Sequence, residues 1–299
     1  MKCEFSGSVV ALPTPFRDDR LDLDAFRNLI EDHVRAGTTG VVVCGTTGES
    51  CTLSDGERKT MIASAVRFAG ERLSVIAGVG TNCTRSTIEL ARFAEQAGAN
   101  GLLVVTPYYN KPSRAGLALH FGAIADAVKI PIILYNVPSR TGIDLELSLV
   151  RELCERHENI VGIKEVTNSG TRIAELCAIA DLAVFCGEDT ALVEFAAAGA
   201  QGAIGVLANL APNEVAALLR VAPQDEAEAR AIAGGLGQLL RALYLETNPV
   251  PLKAALAEFG RCRSEVRSPL APLTAEHAAE VTRLLRQTTR ARRTAFLAR

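Results

Sequence analysis

The chain has 299 residues, of which 48% are hydrophobic and 22% are charged, and its formal net charge is −2 at pH 7. This composition is typical of a globular protein with a large core. The near-neutral charge argues against a nucleic-acid partner, and no uncharged apolar stretch reaches the roughly 18 residues of a membrane span, so no membrane association is expected.

The cysteines and histidines show no sign of a metal site. The 8 cysteines are scattered without a C-x-x-C pair, and no cysteine–histidine group has metal-ligand spacing. We therefore expect no metal. The N-terminus begins directly in a strand-like run without the regions of a signal peptide, so we expect a cytoplasmic protein with reduced thiols.

Short apolar runs recur along the chain, and segments with a helical pattern separate them. Each run is apolar throughout rather than alternating, as expected for strands buried on both faces of a parallel sheet. The predicted strands cover residues 8–12, 39–45, 74–79, 101–106, 131–137, 160–166, 182–187 and 202–208.

The helices between these strands carry recognisable end signals. Asp24 and Ser54 are predicted N-caps, and Gly37 and Gly98 follow their helices as C-terminal glycines do. The helical patterns include residues 24–36, 84–97 and 171–180.

Buried strands that alternate with helices predict a (β/α)8 TIM barrel rather than an open doubly wound sheet. An open sheet often has a glycine-rich dinucleotide loop after its first strand, but Pro13-Thr14-Pro15 stands there, and we expect no cofactor. Beyond residue 210 the pattern is helical throughout, with prolines as breakers. We predict a barrel catalytic domain over residues 1–211. Residues 212–299 would form a barrel-completing helix and a C-terminal helical extension.

In such a barrel the active site lies at the C-terminal ends of the strands. Lys164 interrupts the apolar sixth strand, although lysine is uncommon in this sequence. Burial inside a barrel favours the neutral amine of a lysine, which is a nucleophile toward carbonyl groups. The alternative is that Lys164 faces outward, between the barrel and the helices, with its charge in solvent.

Other polar groups follow other strands. The GTTG loop after the second strand offers backbone N–H groups and the hydroxyls of Thr46 and Thr47 to an anion. Tyr109 and Tyr135 each close a strand, where a phenol can relay protons. Arg140 lies in a turn and suits bidentate binding of a carboxylate. Taken singly, the loop is equally compatible with an ordinary turn, and the ordinary interpretations as a rim aromatic and a surface arginine are favoured for the tyrosines and for Arg140.

Four motifs, GTTGES, TPYYNKP, YNVPSRTG and GIKE, occur in this order. Together they resemble the dihydrodipicolinate synthase/N-acetylneuraminate lyase family, from about residue 6 to about residue 275. The resemblance implies a Schiff-base lyase without metal or cofactor that condenses pyruvate with L-aspartate-4-semialdehyde. The product would be 4-hydroxy-tetrahydrodipicolinate, an intermediate of lysine and diaminopimelate biosynthesis.

The resemblance also implies roles for the catalytic residues. Lys164 would form an imine with C2 of pyruvate, while Thr46 and Thr47 would hold the pyruvate carboxylate. Tyr135 would be the general acid and base beside the imine. Tyr109 would complete a proton relay with Thr47 and Tyr135 from across a subunit interface, which implies a dimer at least, and the family expectation is a tetramer of two dimers.

The choice of second substrate rests on Arg140, which the resemblance assigns to the carboxylate of aspartate-4-semialdehyde. Gly187 and Ile204 match positions that line the pyruvate pocket. One alternative is a related pyruvate-dependent aldolase or lyase that acts on a 2-keto-3-deoxy sugar acid or on 4-hydroxy-2-oxoglutarate. Another is a non-catalytic paralogue that binds pyruvate.

One departure from the family pattern concerns regulation. Lysine-inhibited members bind lysine near the loop after the second strand, with a histidine and a glutamate among the ligands. Arg58 and Ser86 stand at those positions here. Our hypothesis is that lysine inhibits this protein weakly or not at all.

Overall fold

The structure, a computed structural model, describes residues 3–167 and 169–297, so residues 1, 2, 168, 298 and 299 of the predicted units lie outside the described residues. The barrel strands are β1 (Gly7–Ala11), β2 (Gly40–Val43), β3 (Ser74–Gly78), β4 (Gly101–Val105), β5 (Ile132–Asn136), β6 (Ile160–Glu165), β7 (Ala183–Cys186) and β8 (Gly202–Gly205). Neighbours in chain order pair in parallel, and β1 closes the ring by pairing with both β2 and β8. The predicted (β/α)8 barrel is confirmed.

Helices surround this ring and continue beyond it. They are α1 (Leu23–Arg35), α2 (Asp55–Ala69), α3 (Thr84–Gln96), α4 (Arg114–Ala127), α5 (Leu147–Arg156), α6 (Gly170–Cys177), α7 (Leu192–Ala197), α8 (Pro212–Val221), α9 (Glu226–Leu243), α10 (Val250–Glu258) and α11 (Ala275–Leu297). A one-turn helix, Pro138–Thr141, follows β5. Among the described residues, no helix is both long and apolar enough to cross a membrane.

Most of the predicted helix ends are confirmed. Ser54 caps α2 through a capping box, in which its hydroxyl accepts from the Glu57 N–H while the Glu57 carboxylate accepts from the Ser54 N–H. Gly37 and Gly98 follow α1 and α3 with φ of 69° and 88°. This left-handed conformation is cheap for glycine and ends a helix.

The predicted N-cap at Asp24 is wrong by one half-turn. Helix α1 begins at Leu23, and the Asp22 carboxylate accepts the hydrogen bond from the Ala25 N–H at 3.0 Å. Asp22 reaches that N–H because it lies just outside the helix, whereas Asp24 already lies within the first turn. There its negative charge faces the positive end of the helix dipole.

The strands are apolar throughout because both of their faces are buried. One set of side chains fills the inside of the barrel and includes Val9, Val42, Ile76, Leu103 and Ile133. The alternate positions pack outward against the helices and include Val10, Val41, Val75, Leu102 and Leu134. This two-sided burial is the reason that the runs lack the period-two alternation of a half-exposed sheet.

The region after residue 211 differs in part from the prediction. Helix α8 packs against β1 and thus completes the barrel wall, while α9 and α10 pack against α11. The prediction that this whole region is helical is wrong for residues 259–274, which contain no helix. Gly260, with φ of 65°, ends α10, and Arg267 ties the segment back to α2 through the Glu57 carboxylate at 2.6 Å. The division of the chain at residue 211 stays a prediction.

Candidate active site

Lys164 lies near the C-terminal end of β6 with its side chain inside the barrel. In the parallel register it pairs with Tyr135 of β5 and with Phe185 of β7, and both of those side chains belong to the inner apolar cluster. Residues opposite each other in a sheet share a face, so Lys164 also points inward, and it is 6% exposed. Its Nζ lies 4.4 Å from the centroid of the Tyr135 ring. The outward-facing alternative is therefore wrong.

Gly187 leaves the space that the lysine side chain occupies. A Cβ at this position would lie 2.7 Å from Lys164 Cε and 2.8 Å from Val166 Cγ2. Those separations are well inside van der Waals contact. The Gly187 N–H donates to the Glu165 carbonyl at 2.8 Å, so the backbone is held where it is. Any larger residue at 187 would therefore displace Lys164.

Glu165 anchors the same strand end from the other face of the barrel wall. Its fully buried carboxylate accepts from the N–H groups of the next two residues, each at 2.9 Å, and from Arg172 Nε at 2.9 Å. Asn136 Nδ2 donates to both carboxylate oxygens, at 3.0 and 3.1 Å. Because charge-assisted bonds of this kind are strong, they fix the backbone that carries Lys164.

The GTTG loop follows β2 and is held by side chains from distant parts of the chain. Thr47 is buried, and its Oγ1 accepts a hydrogen bond from Asn248 Nδ2 at 2.9 Å. The Gly48 carbonyl accepts from Thr14 Oγ1 at 2.7 Å. These two contacts fix the loop that presents the hydroxyls of Thr46 and Thr47.

Directly after this loop, Glu49 forms a buried ion pair that the sequence interpretation missed. Its backbone is left-handed, with φ of 53°. Lys253 Nζ donates to Glu49 Oε1 at 2.7 Å and to the Thr14 carbonyl at 2.9 Å, and both charged side chains are buried. Burial lowers the pKa of Lys253, and the neighbouring Glu49 carboxylate opposes that shift. A signal was present, since Lys253 interrupts an apolar run just as Lys164 does.

A cleft of about 310 Å³ opens beside these residues, and its size suits a small substrate. Thr46, Tyr135, Arg140 and Asn248 are among the residues that line it. Arg140 is exposed and lies on the one-turn helix after β5, with its Nη2 3.5 Å from Thr247 Oγ1. A cationic group thus lines the same cleft as Thr46, where it can bind a carboxylate.

Beyond the strand ends of β7 and β8 lies a second charged group near the lysine. The buried Asp189 carboxylate accepts from the N–H groups of Val206 and Leu207, each at 2.9 Å. Burial raises the pKa of Asp189 to about 6, while these hydrogen bonds and the Lys164 charge act in the opposite direction. Ile204 is fully buried in the inner cluster close to this point.

Tyr109, a predicted site residue, is exposed to solvent and is not among the residues that line this cleft. Its side chain is 89% exposed, and its backbone is left-handed with φ of 73°. Tyr108 beside it does line the cleft, and burial raises the pKa of its phenol. Within one chain, therefore, the pair Thr47 and Tyr135 lacks the third member of the predicted relay.

The chain is similar to known proteins over almost its whole length. The family model described as the dihydrodipicolinate synthetase family matches residues 4–288. The chain is 44% identical over 286 residues to the 4-hydroxy-tetrahydrodipicolinate synthase of Citrifermentans bemidjiense. The alignment covers 95% of this chain and 98% of the relative. It is 41% identical over 274 residues to the enzyme of the same name from Methanocaldococcus jannaschii. That alignment covers 91% of this chain and 95% of the relative.

The fold is also similar to solved structures. The crystal structure of dihydrodipicolinate synthase from Aquifex aeolicus superposes with a TM-score of 0.94 at 42% sequence identity. The superposition covers 95% of this chain and 98% of the other.

Proposed function

The chain belongs to the dihydrodipicolinate synthetase family, and on that premise we propose that it condenses pyruvate with L-aspartate-4-semialdehyde. The product is 4-hydroxy-tetrahydrodipicolinate, an intermediate of lysine and diaminopimelate biosynthesis. The observation that carries the proposal is the buried lysine inside the barrel, with its Nζ 4.4 Å from the centroid of the Tyr135 ring. We also propose a cytoplasmic location, which cell fractionation would test.

The reaction begins when the neutral amine of Lys164 adds to C2 of pyruvate and water leaves, which forms an imine. Once protonated, the imine nitrogen draws electrons from the methyl carbon, and loss of a proton from that carbon gives an enamine. The enamine carbon attacks the aldehyde of the second substrate, and the new alkoxide takes up a proton. The amine of the second substrate then attacks C2, closes the ring and releases Lys164.

The side chains around the lysine fit the individual steps. Thr46 and Thr47 lie on the loop that is placed to hold the pyruvate carboxylate, which leaves C2 directed toward Lys164. The Tyr135 ring lies beside the amine, with its centroid 4.4 Å from Lys164 Nζ, and its phenol moves protons to and from the imine and the alkoxide. Arg140 binds the carboxylate of aspartate-4-semialdehyde from the cleft wall.

The protein assembles at least as a dimer, and the complete assembly is a tetramer of two dimers. Tyr109 is 89% exposed and is not among the residues that line the cleft of its own chain, which fits a side chain that enters a neighbouring subunit's site. Mixing Lys164→Ala chains with Tyr109→Ala chains tests this arrangement. Each variant alone should be nearly inactive, whereas mixed dimers should regain one working site. A mixture no more active than its components would argue against the shared site.

The condensation itself is tested with pyruvate and aspartate-4-semialdehyde, coupled to the reductase that consumes the product, while NAD(P)H loss is followed. Lys164→Ala should abolish the rate, and Lys129→Ala, which removes an exposed lysine, should leave it unchanged. Borohydride with pyruvate should attach a three-carbon adduct to Lys164. Trapping without condensation would mean that the second substrate is different, and an absence of trapping would contradict the Schiff-base mechanism.

A further inference from the structure

Asn248 holds the hydroxyl of Thr47 from the far end of the chain. The two residues are 201 positions apart, and Asn248 Nδ2 lies 2.9 Å from Thr47 Oγ1. Asn248 lies between α9 and α10, outside the strands, and lines the cleft. Neither its position in the sequence nor the four motifs drew attention to it.

The direction of this hydrogen bond follows from the chemistry of the two groups. An amide nitrogen donates and cannot accept, whereas a hydroxyl both donates and accepts. Asn248 Oδ1 is buried and has no hydrogen-bond partner among the described residues. With the amide reversed, two N–H groups would be buried there in place of one oxygen. The observed orientation leaves the fewest polar groups unpaired, so the amide donates and Thr47 Oγ1 accepts.

The consequence concerns the proton of Thr47. Because Asn248 occupies an acceptor position on Oγ1, the O–H of Thr47 must point elsewhere. Among residues 3–167 and 169–288, Oγ1 makes no other hydrogen bond. The hydroxyl proton therefore has no acceptor among these residues and can be donated to a bound substrate or a reacting group.

We propose that Asn248 is a positioning residue for the condensation: it orients the Thr47 hydroxyl as a donor toward the reacting groups and keeps it from donating to the amide. This inference rests on the proposed function and on the proton relay through Thr47 and Tyr135 that the family resemblance implies. The residue before Asn248 accepts from Arg140 Nη2 at 3.5 Å. The segment 247–248 therefore contacts both the pyruvate side and the second-substrate side of the site.

The test compares Asn248→Ala with Asn248→Asp. The alanine variant frees the hydroxyl to rotate and should lower kcat roughly tenfold, with a smaller change in KM for pyruvate. The aspartate variant replaces the donor by an acceptor, so its carboxylate accepts a hydrogen bond from the Thr47 hydroxyl, and kcat should fall further, by roughly 100-fold at neutral pH. Its rate, taken relative to the wild type at the same pH, should recover in acid, where the protonated carboxyl can donate again. Asn248→Ala should show no such recovery.

A double-mutant cycle shows whether Asn248 acts through Thr47. In a Thr47→Val background, which lacks the hydroxyl but keeps the shape, Asn248→Ala should change kcat by less than about twofold. Equal additive losses in both backgrounds, or an aspartate variant without the acid recovery, would overturn the proposal. Borohydride trapping of pyruvate is measured in every variant. Normal trapping shows an intact Lys164 site, and the wild-type condensation rate separately decides the proposed function.

Discussion

Replacing Lys253 by methionine measures what the buried ion pair behind the GTTG loop contributes to stability. The ammonium donates to Glu49 Oε1 at 2.7 Å and to the Thr14 carbonyl at 2.9 Å, and it lies 4.2 Å from the centroid of the Phe16 ring. Methionine keeps most of the volume and removes the charge. Among the described residues, the Arg267 N–H at 3.0 Å then remains as the partner of the Glu49 carboxylate.

The expected loss follows from the burial of both groups. Removing one member of a buried pair costs about 3–5 kcal/mol, because the other charge stays desolvated without compensation. We expect Lys253→Met to lower the free energy of unfolding by that amount. Glu49→Gln keeps an oxygen that can accept from Lys253 and should cost about 2 kcal/mol. The double variant removes both charges, so its loss should be smaller than the sum of the two single losses by about 2 kcal/mol.

Urea denaturation followed by far-UV circular dichroism is the suitable assay, since the chain contains no tryptophan. Lys129→Met is the matched control, because Lys129 is exposed, and its denaturation midpoint should not change. KM for pyruvate should rise several-fold in Lys253→Met, because Glu49 directly follows the loop that carries Thr46 and Thr47. Losses that simply add, or a Lys253→Met midpoint equal to that of the control, would refute the reasoning.

Three further outcomes are expected. Gly187→Ala would place a Cβ 2.7 Å from Lys164 Cε and should lower kcat roughly 100-fold without unfolding the chain. Gly170→Ala is the control, because its Cβ would meet nothing within 4 Å and kcat should stay unchanged. Equal kinetics for the two variants would exclude the steric explanation. Burial lowers the pKa of His120 from 6.5 to about 4, so its contribution to stability is full above pH 6.5 and is lost as the pH falls through about 4; urea midpoints of His120→Gln should vary less with pH over this window than those of the wild type. Lysine titrated against the initial rate should inhibit weakly or not at all, since the buried Arg58 guanidinium donates to the Gly78 carbonyl at 3.0 Å where a histidine is expected; clear inhibition below millimolar lysine would contradict this.

Local patterns were sufficient wherever the physical cause was local. A strand buried on both faces is apolar along its whole length, and this pattern located all of the barrel strands. The Ser54 cap was predictable because its partner, Glu57, lies three residues away. The choice between Asp22 and Asp24 as N-cap was not predictable. An acidic residue is favoured both at the N-cap and in the first turn, so only the observed start of the helix distinguishes the two.

For the site too, some features were predictable from the sequence and others were not. The residues that carry the proposed chemistry stand at strand ends, and in a parallel barrel the C-terminal ends all meet at one face. Sequence order alone therefore brought the GTTG loop, Tyr135 and Lys164 to that face. The direction of the Lys164 side chain remained open, because a single lysine in an apolar strand is compatible with either face. The register with Tyr135 and Phe185 decided it.

The sequence by itself determined the barrel, the order of its strands and the chemical groups at their ends, because these depend on periodicity and on residue type along short segments. Only the tertiary structure paired Glu49 with Lys253 and Thr47 with Asn248, across 204 and 201 positions. No local pattern encodes such pairs. They exist because the C-terminal helices pack beside the loop after β2, and burial then requires each charge and each polar group to find its partner there.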